Sequence, residues 1–121
     1  MSETALLREI MVTLSQGDCR LFRMQSGNFK LFDGRHIRIG FNGLSDLIGW
    51  NSVVITPDMI GQRIAQFVAL EGKSERGRAR ENQENFLRAV LAAGGIGAIV
   101  RSKEQACQVL NIDENGNSLP S

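Results

Sequence analysis

Cysteine is scarce in this chain: Cys19 and Cys107 are the only two, far apart and in no spacing that suits a metal. Each sits among apolar residues, so both read as buried thiols of a reducing compartment. Histidine occurs once, at His36, with no Ser or Cys beside it in a recognisable nucleophile setting. It reads instead as a polar-face residue placed to touch a phosphate. No apolar run reaches the ~18 residues of a membrane span, and Met1-Ser2-Glu3 does not open a signal peptide. The cytoplasm is the expected location.

What is present suits one folded domain. The 121 residues, 42% hydrophobic and 22% charged, are enough for a core without staples. Residues 1–110 are expected to form the domain, and 111–121 a polar tail that frays. The net charge of +1 hides an uneven distribution. Arg20, Arg23, Lys30, Arg35 and Arg38 face Asp33 alone, and Lys73, Arg76, Arg78 and Arg80 face Glu75 alone. Two such clusters mark either a local anion-binding surface or solvated loops.

Residues 3–15 predict an amphipathic helix, with Leu6, Leu7, Ile10, Met11 and Leu14 at helical spacing and Ser2 as N-cap. Glu3 shares the register of that apolar face. It is either a carboxylate aimed toward the core or a first-turn acid favouring the helix dipole. Strands are expected over 19–25 and 29–32, with a turn at 26–28. Asp33-Gly34 signals a hairpin into an alternating strand over 36–41. Asp46 follows the turn-prone Gly43 and enters a strand beginning Leu47-Ile48. Trp50 reads as a packing residue rather than a base-stacking platform. Ser52–Thr56 is a short apolar run, and Pro57 opens a loop or single helical turn. A long central strand is expected over 63–73 and a second helix over 79–93, ended by Gly94-Gly95. Gln83 lies on the apolar stripe of that helix with Leu87, Val90 and Leu91. A strand over 97–101 follows, and Ser102 with Gln105 forms a capping box for a last helix to Leu110. Strand, helix and strand from 63 to 101 make a parallel βαβ unit. With the antiparallel meander before it, the expectation is a mixed sheet flanked by helices.

The chemistry concentrates at the end of the central strand. Glu71 and Lys73 are two residues apart, so they share a strand face with Cα atoms ~6.5–7 Å apart. The basic loop Arg76–Arg80 follows at once. Phosphodiester hydrolysis needs an activated water, charge neutralisation and help for the leaving oxygen, all of which a divalent metal supplies. Hard cations prefer carboxylate and carbonyl oxygens. Asp46, Glu71 and the Gly72 carbonyl offer these, Glu3 offers a third carboxylate, and Lys73 offers a positive charge.

The ordered set is more specific than any one member. A helical Glu3 comes first, then Gly43-Leu-Ser-Asp46-Leu-Ile-Gly, then Phe67-Val-Ala-Leu-Glu71-Gly-Lys73. The loop Arg76-Gly-Arg78, Gln83, Gly94-Gly95 and Ala98-Ile-Val-Arg-Ser follow. In this order, over about residues 3–105, the chain resembles the virus-type replication-repair nuclease (VRR-NUC) domain of the PD-(D/E)XK superfamily. The resemblance implies a restriction-endonuclease-like α/β fold: N-terminal helix, β-meander, then βαβ. It implies a Mg²⁺ site, with Mn²⁺ able to substitute, at Glu3, Asp46, Glu71 and the Gly72 carbonyl. Asp46, Glu71, Lys73 and Gln83 would be the catalytic set, with Lys73 the catalytic lysine. Small stand-alone members, often of phage origin, look like homodimers that cut branched DNA such as four-way junctions. That would place this chain in a host cytoplasm. Arg20, Arg23, Arg35, His36, Arg38, Arg76, Arg78 and Arg80 are the candidate DNA contacts; no organic cofactor and no membrane is expected.

The chain departs from the family pattern at Gly72, where the residue between Glu and Lys is usually apolar and often β-branched. The glycine either loosens the strand or admits a close backbone neighbour. Two alternatives therefore stand beside junction cleavage: a flap or single-strand nuclease of the same fold, and a branched-DNA-binding module with a weakened site.

Overall fold

The computed structural model describes residues 2–25 and 27–120. Ser26, in the expected 26–28 turn, lies outside the described residues, as do Met1 and Ser121. The chain divides into two compact units, Met1–Val54 and Ile55–Ser121. Together they make a mixed α/β protein of three helices and three two-stranded β-pairs among the described residues. No helix of these residues is long and apolar enough to cross a membrane.

The first unit opens with α1 (Glu3–Leu14), capped by Ser2, whose Oγ accepts from Ala5 N at 3.1 Å. Leu7, Ile10 and Met11 are half-buried, and α1 packs on β1 (Cys19–Arg23). Ser15 ties the helix end to that strand: its Oγ accepts from Leu21 N at 2.9 Å. Leu6 and Leu14, at the margins of the stripe, are exposed.

The expected meander is corrected by the pairing. β1 pairs not with the next strand but antiparallel with β4 (Leu47–Asn51), Phe22 opposite Ile48 and Arg20 opposite Trp50. Phe22 and Trp50 share a face diagonally and their rings meet edge-on at 5.5 Å, a cross-strand contact that fixes the register. β2 (Gly27–Lys30) and β3 (His36–Ile39) form a separate hairpin between β1 and β4 in the chain. Gly34, at φ +89°, closes its turn with Leu31, and Asp33 Oδ1 accepts from Arg35 N at 3.0 Å.

The second unit begins without regular structure. Pro57–Met59 forms a single 3-10 turn, where the Thr56 hydroxyl donates to Asp58 at 2.7 Å and holds that carboxyl below the usual carboxylate range. The central strand is shorter than the expected 63–73: β5 spans Val68–Gly72. Ile64 is exposed and the Gln66 side chain donates to Gly94 O at 3.0 Å, so the stretch before Phe67 has no ladder partner among the described residues. β5 pairs in parallel with β6 (Ile96–Val100) through α2 (Glu81–Ala92), as the βαβ pattern predicts.

Leu87 and Val90 of α2 are the buried apolar residues, and they lie against β6. Gly97 makes this approach possible: a Cβ there would stand 3.0 Å from Leu87 O and 3.4 Å from Leu87 Cα. The helix ends in a Schellman motif, with Gly95 N donating to Val90 O, Gly94 N to Leu91 O, and Gly94 at φ +98°. Leu91, placed on the apolar stripe by spacing, is exposed.

Ser102 caps α3 (Lys103–Leu110), accepting from Gln105 N at 3.1 Å. The capping box is altered, since Gln105 Oε1 accepts from Arg101 N at 2.7 Å instead of from Ser102. Residues 112–118, in the expected polar tail, carry contacts of their own. Ile112 bridges Ser118, and Asp113 Oδ1 accepts from Asn115 N and Asn117 N. Both cysteines are free and half-buried rather than buried, and Cys107 Sγ lies 3.7 Å from Asp113 O.

Candidate functional site

Strand alternation brings Glu71 and Lys73 to one face at the end of β5, and their side chains meet: Lys73 Nζ lies 3.2 Å from Glu71 Oε1. The side chains are 31% and 17% exposed, so the pair is partly screened from water but not desolvated. The same Oε1 accepts from Gln83 Nε2 at 2.9 Å. Gln83 stands at the third position of α2, and its other amide atom, Oε1, accepts from Arg80 N at 2.9 Å. One side chain thus caps the helix and orients the carboxylate. Ala69, Leu70, Glu71, Asn82, Gln83, Phe86 and Leu87 line a cavity of about 250 Å³ beside this contact. Glu71 Oε2 has no hydrogen-bonding partner among the described residues.

The Gly72 carbonyl is placed by the ladder. Phe67 O accepts from Ile96 N, and Lys73 N donates to Val100 O. In a parallel pair alternate residues turn their amide and carbonyl toward the partner. Residues 67, 69, 71 and 73 therefore face β6, and 68, 70 and 72 face the opposite edge of β5, where no described strand pairs. The Gly72 carbonyl is outside the ladder. A Cβ at Gly72 would meet nothing within 4 Å, so the glycine is not there to admit a close backbone neighbour.

Arg76, Arg78 and Arg80 are exposed, and their guanidinium groups have no hydrogen-bond or ion-pair partner among the described residues. The turn carrying Arg76 and Arg78 is closed by Gly77 N to Ser74 O at 3.0 Å. Arg101, at the end of β6, reaches into it: Nη1 donates to the carbonyls of Ser74, Glu75 (3.4 Å) and Gly77 (2.8 Å). Spacing gave no role to Arg101. Its sequence signal is its place in Ala98-Ile-Val-Arg-Ser, as the base at the end of the strand parallel to β5.

In the first unit, Glu3 stands in the first turn of α1 and is exposed. Asp46 immediately precedes β4, and its backbone carbonyl accepts from Met24 N at 2.9 Å. No described residue bonds its carboxylate. Within neither unit do three His, Cys, Asp or Glu side chains gather as a metal-holding group among the described residues. Arg20 and Arg23 lie on β1 and are exposed. On the β2–β3 hairpin Lys30 stands opposite His36 and Asn28 opposite Arg38, which makes one face of the ribbon basic. Arg38 bonds Asn42, and Arg35 is held by Asp33, Nε to Oδ2 2.7 Å.

The family model of the VRR-NUC domain matches residues 14–104. The matched stretch contains Asp46, Glu71, Gly72, Lys73 and Gln83 and leaves Glu3 outside it. No curated protein and no solved structure matches the chain. With a family match over three quarters of its length, the chain belongs to the VRR-NUC family of nuclease domains.

Proposed function

We propose that the protein is a Mg²⁺-dependent, structure-specific DNA endonuclease of the PD-(D/E)XK type, which acts as a homodimer on branched DNA such as a four-way junction. The observation that carries this reading is the convergence of Lys73 Nζ and Gln83 Nε2 on one oxygen of Glu71. It leaves the second oxygen and the Gly72 carbonyl as donors of the hard type that Mg²⁺ takes. Asp46 and Glu3 are the remaining carboxylates of the proposed ligand set, and Mn²⁺ is expected to substitute. When bound, the metal would supply charge neutralisation and an acidified water.

The chain's own residues do the rest. Lys73 places a positive charge where the phosphate gains negative charge in the transition state. Gln83 keeps the Glu71 carboxylate from rotating out of line. Arg76, Arg78 and Arg80 hold the flanking phosphates, and Arg20, Arg23, Arg35, His36 and Arg38 are further proposed phosphate contacts. Such contacts are independent of sequence and weaken with salt. Twofold-related copies suit a symmetric junction.

The test is digestion of labelled four-way, flap, single-stranded and linear DNAs with Mg²⁺. Paired symmetric nicks across the four-way junction are expected. Preferential cutting of flaps or single strands would shift the substrate class. Junction binding without metal uptake or product, measured by calorimetry, would leave a binding module.

A further inference from the structure

We propose that Arg101 is a positioning residue that holds the 74–78 turn in the one arrangement able to seat a DNA phosphate. This rests on the nuclease reading above. The Arg101 head donates to the Ser74, Glu75 and Gly77 carbonyls. None of these peptide bonds is cis, and in a trans peptide the carbonyl and the next N–H point in opposite directions. Turning those three carbonyls onto Arg101 therefore turns the amides of Glu75, Arg76 and Arg78 away from it. None of the three amides has a hydrogen-bond acceptor among the described residues.

Outward amides on a tight turn are an anion-binding arrangement. Here they stand on the backbone that carries the unpaired Arg76 and Arg78 guanidinium groups, with the Glu75 carboxylate the one acid in the turn. The turn is also pressed against the site. A Cβ at Gly77 would be 3.1 Å from Ser74 Oγ and 3.5 Å from Lys73 Cβ. Arg101 itself is fixed from behind, its N–H held by Gln105 Oε1 at 2.7 Å. A path of named contacts thus runs from α3 through Arg101 to the loop beside Lys73. Arg101 points its charge at carbonyls of its own chain, so it acts through the loop rather than on DNA.

Two measurements separate this from a direct phosphate contact. The first is ¹⁵N relaxation of the DNA-free protein. Arg101→Met is expected to lower the order parameters of residues 75–78 into the flexible range, below about 0.6, while β5 and β6 stay rigid. Arg101→Lys, which keeps a cation with three N–H donors, is expected to restore most of the order. The second is a double-mutant cycle on junction affinity without divalent metal. Arg101→Met should weaken binding about tenfold, the loss expected for freeing one or two ordered groups. In the Arg76→Ala/Arg78→Ala background it should weaken binding less than about twofold, because the amides that Arg101 orders have then lost the two guanidinium groups that hold a phosphate together with them. Unchanged loop order in Arg101→Met, or a full additive loss in the double-variant background, would overturn the proposal. If the wild-type chain binds no DNA, the nuclease reading and the phosphate role fall together, while the relaxation measurement still decides whether Arg101 orders the turn.

Discussion

Gln83 Nε2 donates to Glu71 Oε1 at 2.9 Å, joining the first turn of α2 to the end of β5 across twelve positions of sequence. Replacing Gln83 by Leu removes this bond and the cap on Arg80 N while keeping a similar volume. A loss of about 1–2 kcal/mol in urea unfolding is expected, roughly one net hydrogen bond plus part of a cap. Cleavage should fall by about 10–100-fold, the usual cost of losing a partner that orients a ligand side chain. Single-turnover rates with the unfolding curve check both.

The helix–sheet contact sets the second expectation. Gly97→Ala drives a methyl to 3.0 Å from Leu87 O and 3.4 Å from its Cα, where backbone rather than a flexible side chain must yield. A destabilisation of about 1–3 kcal/mol is expected, read as a lowered denaturation midpoint with an unchanged m-value.

Gly72→Val should behave in the opposite sense. A Cβ at Gly72 meets nothing within 4 Å and the backbone is extended. The substitution should stabilise the strand by about 0.5–1 kcal/mol. Because the carbonyl lies outside the β6 ladder whichever side chain is present, Mg²⁺-dependent cleavage is expected to be kept or raised. Thermal melting and a cleavage assay on the same preparation measure it.

Salt dependence separates the arginines. Arg76→Ala and Arg78→Ala each remove an unpaired cation, and each should reduce the slope of log K against log salt by about 0.9. Arg35→Ala should change the slope less, since its guanidinium is already engaged by Asp33 at 2.7 Å. Titrating junction DNA at several salt concentrations compares the three.

Much of this was legible in the sequence because it is local. Ser2 and Ser102 mark helix starts, Gly94-Gly95 marks a stop, and the two-residue spacing of Glu71 and Lys73 puts them on one face. What was not legible is non-local. Nothing in residues 19–32 says that β1 skips its neighbour to pair with β4, because strands of similar composition compete equally in a local pattern. The stretch Arg63–Gln66, expected to open the central strand, finds no ladder partner among the described residues. A strand-compatible stretch does not name a partner. The contacts of Arg101, quoted within Ala98-Ile-Val-Arg-Ser, were not legible for a related reason: they are with three carbonyls 24 to 27 residues away, and carbonyls leave no mark in a sequence.

The most direct test is single-turnover cleavage of an end-labelled four-way junction with Mg²⁺ by the wild-type chain and by Glu71→Gln, with melting curves to show that both fold. The expected result is symmetric nicking by the wild type and a loss of about 100-fold or more in the variant, beyond that typical of an outer partner. Undiminished cutting by a folded Glu71→Gln protein would contradict the assignment of Glu71, and with it the site built around Lys73 and Gln83.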